Sequence, residues 1–239
     1  YLSQQPETTG TESVTDASDP AINYDGTALA CLGDTGRSLY FFSGGKGQYL
    51  VKNKKMTAPS FDSFGWLWVA ESDGAVRAYN AASTNEKERS KGIEIPVSWR
   101  SGMTFSSLRI SHDGARVVVV GTRDGTAAVV MSGVVRDSSG TPKGFTEPVR
   151  VTSSITPRTA VWAGEQNLVV VNDKTGESEV TTLSGEETKF DRLDGVKSVS
   201  AAGNTSNMLA HRSDGSCYVL EERGWNRLNT STREMSFAG

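Results

Sequence analysis

Ser111-His112-Asp113-Gly114-Ala115 lies between two apolar-rich runs, Leu108 to Ile110 and Val117 to Val120. The same strand, Asp-Gly turn and strand return at Asn23-Tyr24-Asp25-Gly26-Thr27, Ser72-Asp73-Gly74, Arg123-Asp124-Gly125 and Ser213-Asp214-Gly215. Asp-Gly suits a tight hairpin: Gly takes positive φ at no steric cost, and Asp tolerates the same region. Self-similarity at a period of roughly 20 to 50 residues signals a solenoid or a propeller.

Working outward from these turns, the chain from residue 20 divides into units of four short strands. The second strands begin near residues 28, 66, 115, 167 and 207, with gaps averaging about 45. A four-stranded propeller blade takes roughly 40 to 50 residues. These second strands are apolar on both faces, as strands buried between neighbouring blades must be, while the fourth strands are more polar. No segment keeps a helical period over ten or more residues. The expected fold is therefore all-β: a β-propeller of four-stranded antiparallel blades, five of them countable, with a sixth left open. A β-sandwich is the alternative, but it would not repeat its turn chemistry five times. Residues 1–19, rich in Ser, Thr, Asp, Glu and Gln without periodic apolar positions, read as a linker or disordered arm. Residues 20–239 are the propeller domain. In the third unit an insertion runs from Val134 to Thr146, read as a surface loop.

The bulk numbers exclude several function classes. The 239 residues carry a net charge of −3 and are 36% hydrophobic, with 25 Gly and 7 Pro. No basic field invites nucleic acid. The longest apolar runs fall far short of the roughly 18 residues of a membrane span. The chain begins at Tyr1, which we read as a piece of a longer or processed protein.

The sequence assembles no catalytic set, so no enzymatic activity, cofactor or metal is expected. A Ser or Cys nucleophile needs a base within reach, and the two histidines, His112 and His211, fall near turns expected on opposite faces. No zinc or calcium spacing is present. Ser43-Gly44-Gly45-Lys46-Gly47 lacks the following helix of a phosphate loop and reads as a hairpin turn. Ser60-Phe61-Asp62-Ser63-Phe64-Gly65 is similar in part to the Asp-box turn of sialidases, with the spacing off by a residue, and that turn is structural. Trp66 and Trp68 alternate on one strand and are expected between blades. The alternative function is a pore-centred propeller that binds or hydrolyses glycans, which would need two carboxylates converging at the pore.

Three stretches carry a family resemblance. They are Pro59-Ser60-Phe61-Asp62 leading into Gly65-Trp66-Leu67-Trp68, Leu108 through Arg116, and Gly133-Val134-Val135-Arg136-Asp137. In this order and spacing they resemble the propeller domain of the actinobacterial lipoprotein LpqB family. His112 stands where that family usually has Pro, and Ala115 where Thr is common. The family's lipid-attachment cysteine and its preceding GerMN domain are absent from the sequence. The resemblance implies an extracytoplasmic, cell-envelope domain, anchored to the membrane only through an upstream lipid. It also implies a protein partner, the extracellular part of a sensor histidine kinase of the MtrA–MtrB two-component system. Arg136 and Asp137, in the third unit's long loop, are the candidate contact residues. An oxidising compartment also permits a disulfide. Cys31 in the first unit and Cys217 in the fifth, neighbours in a closed ring, are the candidate clasp, although facing sheets pack about 10 Å apart and bridged Cα atoms lie within about 7 Å.

Overall fold

A computed structural model describes residues 14–184, 192–201, 208–221 and 224–228. Its strands form five antiparallel sheets, the blades of a β-propeller. Blade 1 holds β1 (Ser18–Ile22), β2 (Ala28–Gly33), β3 (Ser38–Ser43) and β4 (Lys46–Val51). Blade 2 holds β5 (Ser60–Phe61), β6 (Trp66–Ala70), β7 (Val76–Asn80) and β8 (Ile93–Ile95), with a one-turn-and-a-half helix α1 (Glu86–Lys91) between the last two. Blade 3 holds β9 (Thr104–Ile110), β10 (Arg116–Arg123), β11 (Thr126–Arg136), β12 (Pro142–Phe145) and β13 (Val149–Val151). Blade 4 shows β14 (Thr159–Ala163), β15 (Asn167–Asn172) and β16 (Glu177–Thr182); its expected fourth strand, Lys189 to Arg192, lies outside the described residues except for Arg192. Blade 5 holds β17 (Val196–Ala201), β18 (Met208–Arg212), β19 (Cys217–Glu221) and β20 (Gly224–Leu228).

The core is a series of slabs between blades, and strand alternation builds them. On β10, Val117 and Val119 face blade 2 and join Trp68, Ala78 and Leu108. Val118 and Val120 point the other way and join Trp162, Leu168 and Val170 of blade 4. All four valines are at most 1% exposed. At about 1.5 to 3 kcal/mol for each buried side chain, this one strand anchors both neighbours. Leu39, Phe41, Leu67 and Tyr79 fill the slab between blades 1 and 2. Val169, Val171, Met208 and Ala210 fill that between blades 4 and 5. Trp68 lies in the slab between blades 2 and 3, and Trp66 packs against it, so both tryptophans are scaffold.

The Asp-Gly turns close hairpins by two devices. In four of them the Asp carboxylate accepts a hydrogen bond from the N–H two residues on: Asp25 from Thr27 (3.0 Å), Asp73 from Ala75, Asp113 from Ala115 and Asp214 from Ser216 (2.9 Å each). There only the Gly has positive φ, from 70° to 87°. Asp124-Gly125 alone takes the expected form with both residues at positive φ, 49° and 78°.

The insertion of blade 3 is a hairpin and not a loop. β11 runs on past its pairing with β13 and pairs with β12 through the turn Asp137 to Gly140. The hairpin leans on blade 2, where Phe145 packs against Trp68 at 5.9 Å between ring centroids. The stretch read as an arm is described from Val14 onward. Thr15 accepts from the Asp34 N–H at 2.9 Å, and Val14 fills the space beside Gly33.

Candidate functional site

The first strand of every blade is the innermost. Residues of β1, β5, β9, β14 and β17 together line one central channel of about 140 Å³. Side chains lock the inner strands to one another. The Ile110 N–H donates to Ser60 Oγ at 3.0 Å, and Trp162 Nε1 donates to the Arg109 carbonyl at 3.0 Å. At one mouth the turns of blades 1 and 3 meet: the rings of Tyr24 and His112 lie 4.6 Å apart. His112 thus lines the channel. His211 is buried in β18, with neither ring nitrogen partnered, and is not among the lining residues. The two histidines do not converge.

Arg109 of β9 also lines the channel. Its Nη1 donates to the Pro59 carbonyl at 2.8 Å, and its buried Nε has no partner. Burial pushes its pKa down, opposed by the field of Asp19, and no carboxylate among the described residues lies within ion-pairing distance of it. The one described carboxylate in the channel lining is Asp62. The pair of carboxylates that glycoside hydrolysis requires is therefore not brought together there by the described residues.

Asp62 is spoken for. One carboxylate oxygen accepts from the N–H groups of Phe64 and Trp66 (2.9 Å each); the other accepts from Trp68 Nε1 at 2.8 Å and Arg136 Nη2 at 2.6 Å. The Asp-box-like segment is thus a turn pinned by its own aspartate. Arg136, expected as an exposed contact, is turned inward: its side chain is 10% exposed and Asp62's is 0%. Its guanidinium also donates to the carbonyls of Gly114 and Gly140 (3.0 Å each) and stacks on Phe64 at 4.3 Å. It latches the blade 3 hairpin to blade 2. Asp137 remains at the surface, capping the hairpin turn. The Ser139 hydroxyl, aided by Lys143 and the Thr141 N–H, pulls its pKa down to about 2.

Cys31 on β2 and Cys217 on β19 are buried and unbridged, so the clasp is not formed. Both lie on the strand faces turned away from the slabs that their neighbours Ala30, Leu32, Tyr218 and Leu220 pack into. One is on a second strand and the other on a third, and the separation of facing sheets keeps such ranks apart.

On the face bearing the Tyr24 turn, a groove of about 460 Å³ runs between blades 1 and 2, lined by Tyr24, Phe64, Ala81, Ala82 and Arg89 among others. Tyr24 and Phe64 are 55% and 51% exposed. Arg89 of α1 ties the helix to blade 1, donating to Gln48 Oε1 from both Nε (3.1 Å) and Nη2 (2.9 Å).

The family described as "Lipoprotein LpqB beta-propeller domain" matches residues 3–235. The chain belongs to the LpqB propeller family. Lipoprotein LpqB of Streptomyces avermitilis is 26% identical over 171 residues, and that of Streptomyces coelicolor 27% identical over 177. Each alignment covers 65% of this chain and 27% of the relative, so the aligned part of the chain spans about a quarter of the length of these lipoproteins. Among solved structures, the hydrazine synthase of Kuenenia stuttgartiensis superposes with a TM-score of 0.58 at 18% identity, covering 92% of this chain and 68% of that one. A streptogramin B lyase gives 0.56 at 11% identity, covering 90% and 70%. At these identities the likeness is one of fold alone.

In this LpqB-family propeller, all three stretches that carry the resemblance meet in space, that from Leu108 to Arg116 through the Gly114 carbonyl, which accepts from Arg136. Asp62, Trp66 and Trp68 from one, and Arg136 from another, form the latch just described. Tyr24, Phe64 and Arg109 were not singled out as candidates from sequence. Among the described residues no helix is long and apolar enough to cross a membrane.

Proposed function

We propose that this domain is the non-catalytic, extracytoplasmic propeller of a membrane-anchored lipoprotein, and that it binds a protein. Its partner is the extracytoplasmic part of a sensor histidine kinase of the MtrB type, whose signalling it modulates. Membership of the LpqB family supports the setting. One observation carries the binding reading: two half-exposed aromatics, Tyr24 and Phe64, share one groove on a face held rigid by the ring. Exposed aromatics on a fixed backbone lose little entropy on binding and dominate interface energetics. Arg136 serves this face indirectly, by supporting Phe64 from beneath. A net charge of −3 gives nucleic acid no purchase.

The test is a titration of the chain against the immobilised extracytoplasmic part of such a kinase. Saturable binding is expected, with Tyr24→Ala and Phe64→Ala each weakening it by about tenfold or more. No binding by the unmodified chain removes the kinase as partner. Unchanged affinity in both variants removes this groove as the contact.

A further inference from the structure

The channel holds an imbalance that the scaffold does not explain. Asp62 and Arg136 neutralise one another. Arg109 has no such partner: among the described residues its one hydrogen bond goes to a neutral carbonyl, that of Pro59, and its Nε donor is buried and unpaired. A guanidinium stays charged under all ordinary conditions. Burial penalises that charge, and Asp19, too far away for an ion pair, offsets the penalty only in part. Arginine is also an odd residue for this position. Leu108 and Ile110 on either side are buried, and an uncharged side chain at 109 would line the channel without that cost. The surroundings are made for a small polar guest. Ser60 and Ser63 line the same cavity, and His112 and Tyr24 stand together at its mouth.

We propose that the central channel is a binding site for a small oxyanion, a carboxylate or phosphate group of a soluble ligand, seated on Arg109. The planar guanidinium pairs with such groups through charge-assisted hydrogen bonds. Pro59, by accepting from Nη1, holds the plane of the guanidinium and leaves Nη2 without a partner among the described residues. The volume, about 140 Å³, suits a ligand of a few heavy atoms or the anionic end of a larger one entering at the mouth. The site shares Tyr24, Phe61, Asp62 and Ser63 with the partner groove but seats its guest on Arg109, which the groove lacks, and its test uses the chain alone.

The probes are inorganic phosphate and succinate, each titrated into the intact chain at constant ionic strength, with sodium chloride as the blank. Heat of binding and tryptophan fluorescence, to which the channel-lining Trp162 contributes, are the two readouts. One probe at least is expected to bind saturably at a single site, with Arg109→Gln weakening it by about tenfold or more. Arg150→Gln, on the exposed outer strand β13, is expected to bind as the unmodified chain does. If Arg109→Gln does not fold, Arg109→Lys takes its place; it keeps the charge but loses the fork, and a loss of about fivefold or more is expected. Absence of saturable binding of either probe to the unmodified chain overturns the proposal. So does a folded Arg109 variant that binds as tightly as the unmodified chain, or an Arg150→Gln variant that loses binding to the same extent as Arg109→Gln.

Discussion

Removing the Arg136 side chain is the sharpest perturbation of this scaffold. In Arg136→Leu, Asp62 keeps its three N–H donors, from Phe64, Trp66 and Trp68, but loses its counter-charge. Its carboxylate is fully shielded from water and cannot recover solvation in place. Breaking a buried pair from one side costs about 3 to 5 kcal/mol. The retained donors place this case near the lower end, at about 3 kcal/mol. Two further losses act in the same direction: the stack on Phe64 and the bonds to the Gly114 and Gly140 carbonyls. For a domain of this size such a change lowers Tm by roughly 6 to 12 °C. Denaturant titration and calorimetry of Arg136→Leu, Asp62→Asn and the double variant measure it. The double variant is expected to be less destabilised than the sum of the singles, because each single leaves a buried polar group unpaired. Asp137→Ala, one residue along but at the surface, is expected to move the midpoint far less. A loss below about 1 kcal/mol in Arg136→Leu would refute the latch and return Arg136 to the list of surface contacts.

Three further outcomes are expected. Gly176 has φ +77°, and a Cβ there would lie 2.7 Å from the Gly195 backbone; Gly176→Ala should therefore destabilise more than Gly26→Ala, where φ is +74° but space is open and the left-handed penalty of about 1 to 2 kcal/mol acts alone. Cys31 and Cys217 are 7% and 0% exposed, and burial pushes the Cys31 thiol up; a thiol reagent should leave the native chain untouched and count both thiols after unfolding without reductant, and a count of zero would restore the clasp. Hydrogen bonds from Thr27 and Ser216 hold the carboxyls of Asp25 and Asp214 below the ordinary range, and that from Ser139 holds Asp137 at about 2. Their unfolded values lie near ~3.9, so the folded chain binds fewer protons; their contribution is present above that pH and lost as pH falls towards about 2. Denaturation midpoints should fall across that window, and a flat profile would mean that these turns open before they titrate.

The blades were legible because two signals agree at each one. Val117 to Val120 read as a strand apolar on both faces, and the turns before and after it read as hairpins; packing then uses both faces, as that pattern requires. What escaped was whatever lacked a period. Helix α1 has no buried residue, so no apolar stripe announces it; its signs were the caps, Asn85 and Gly92, and the charges, Glu86 and Glu88 in the first turn and Arg89 and Lys91 in the last. The blade 3 insertion escaped because its two strands are joined by Asp137 to Gly140, whose turn residues read as a loop, while the pairing of Val134 with Phe145 is set by contact with blade 2. The Asp role in the repeated turns was also misjudged at four of five positions. Asp and Gly occur in both turn types, and only the loop length decides whether the carboxylate or the backbone carries the turn.

The candidate sites were harder to read for a reason the two arginines make plain. Both sit in strands of blade 3, Arg109 beside leucine and isoleucine and Arg136 beside valine, so local sequence gives each the same description: a polar position in an alternating strand. Alternation tells which side of the strand a residue takes, but not whether that side meets solvent, a neighbouring blade or the channel. That is decided by the rank of the strand in the blade, and the meaning of the charge by what the other blades place opposite. Arg136 finds Asp62, far away in the sequence, and becomes a fastening. Arg109 hydrogen-bonds a neutral carbonyl and feels Asp19 only from beyond ion-pairing distance. A charge with its partner in the same chain supports the fold. A charge without one is where a partner from outside belongs, and so the inner-strand arginine, and not the one on the long hairpin, is the position at which this ring is open to a ligand.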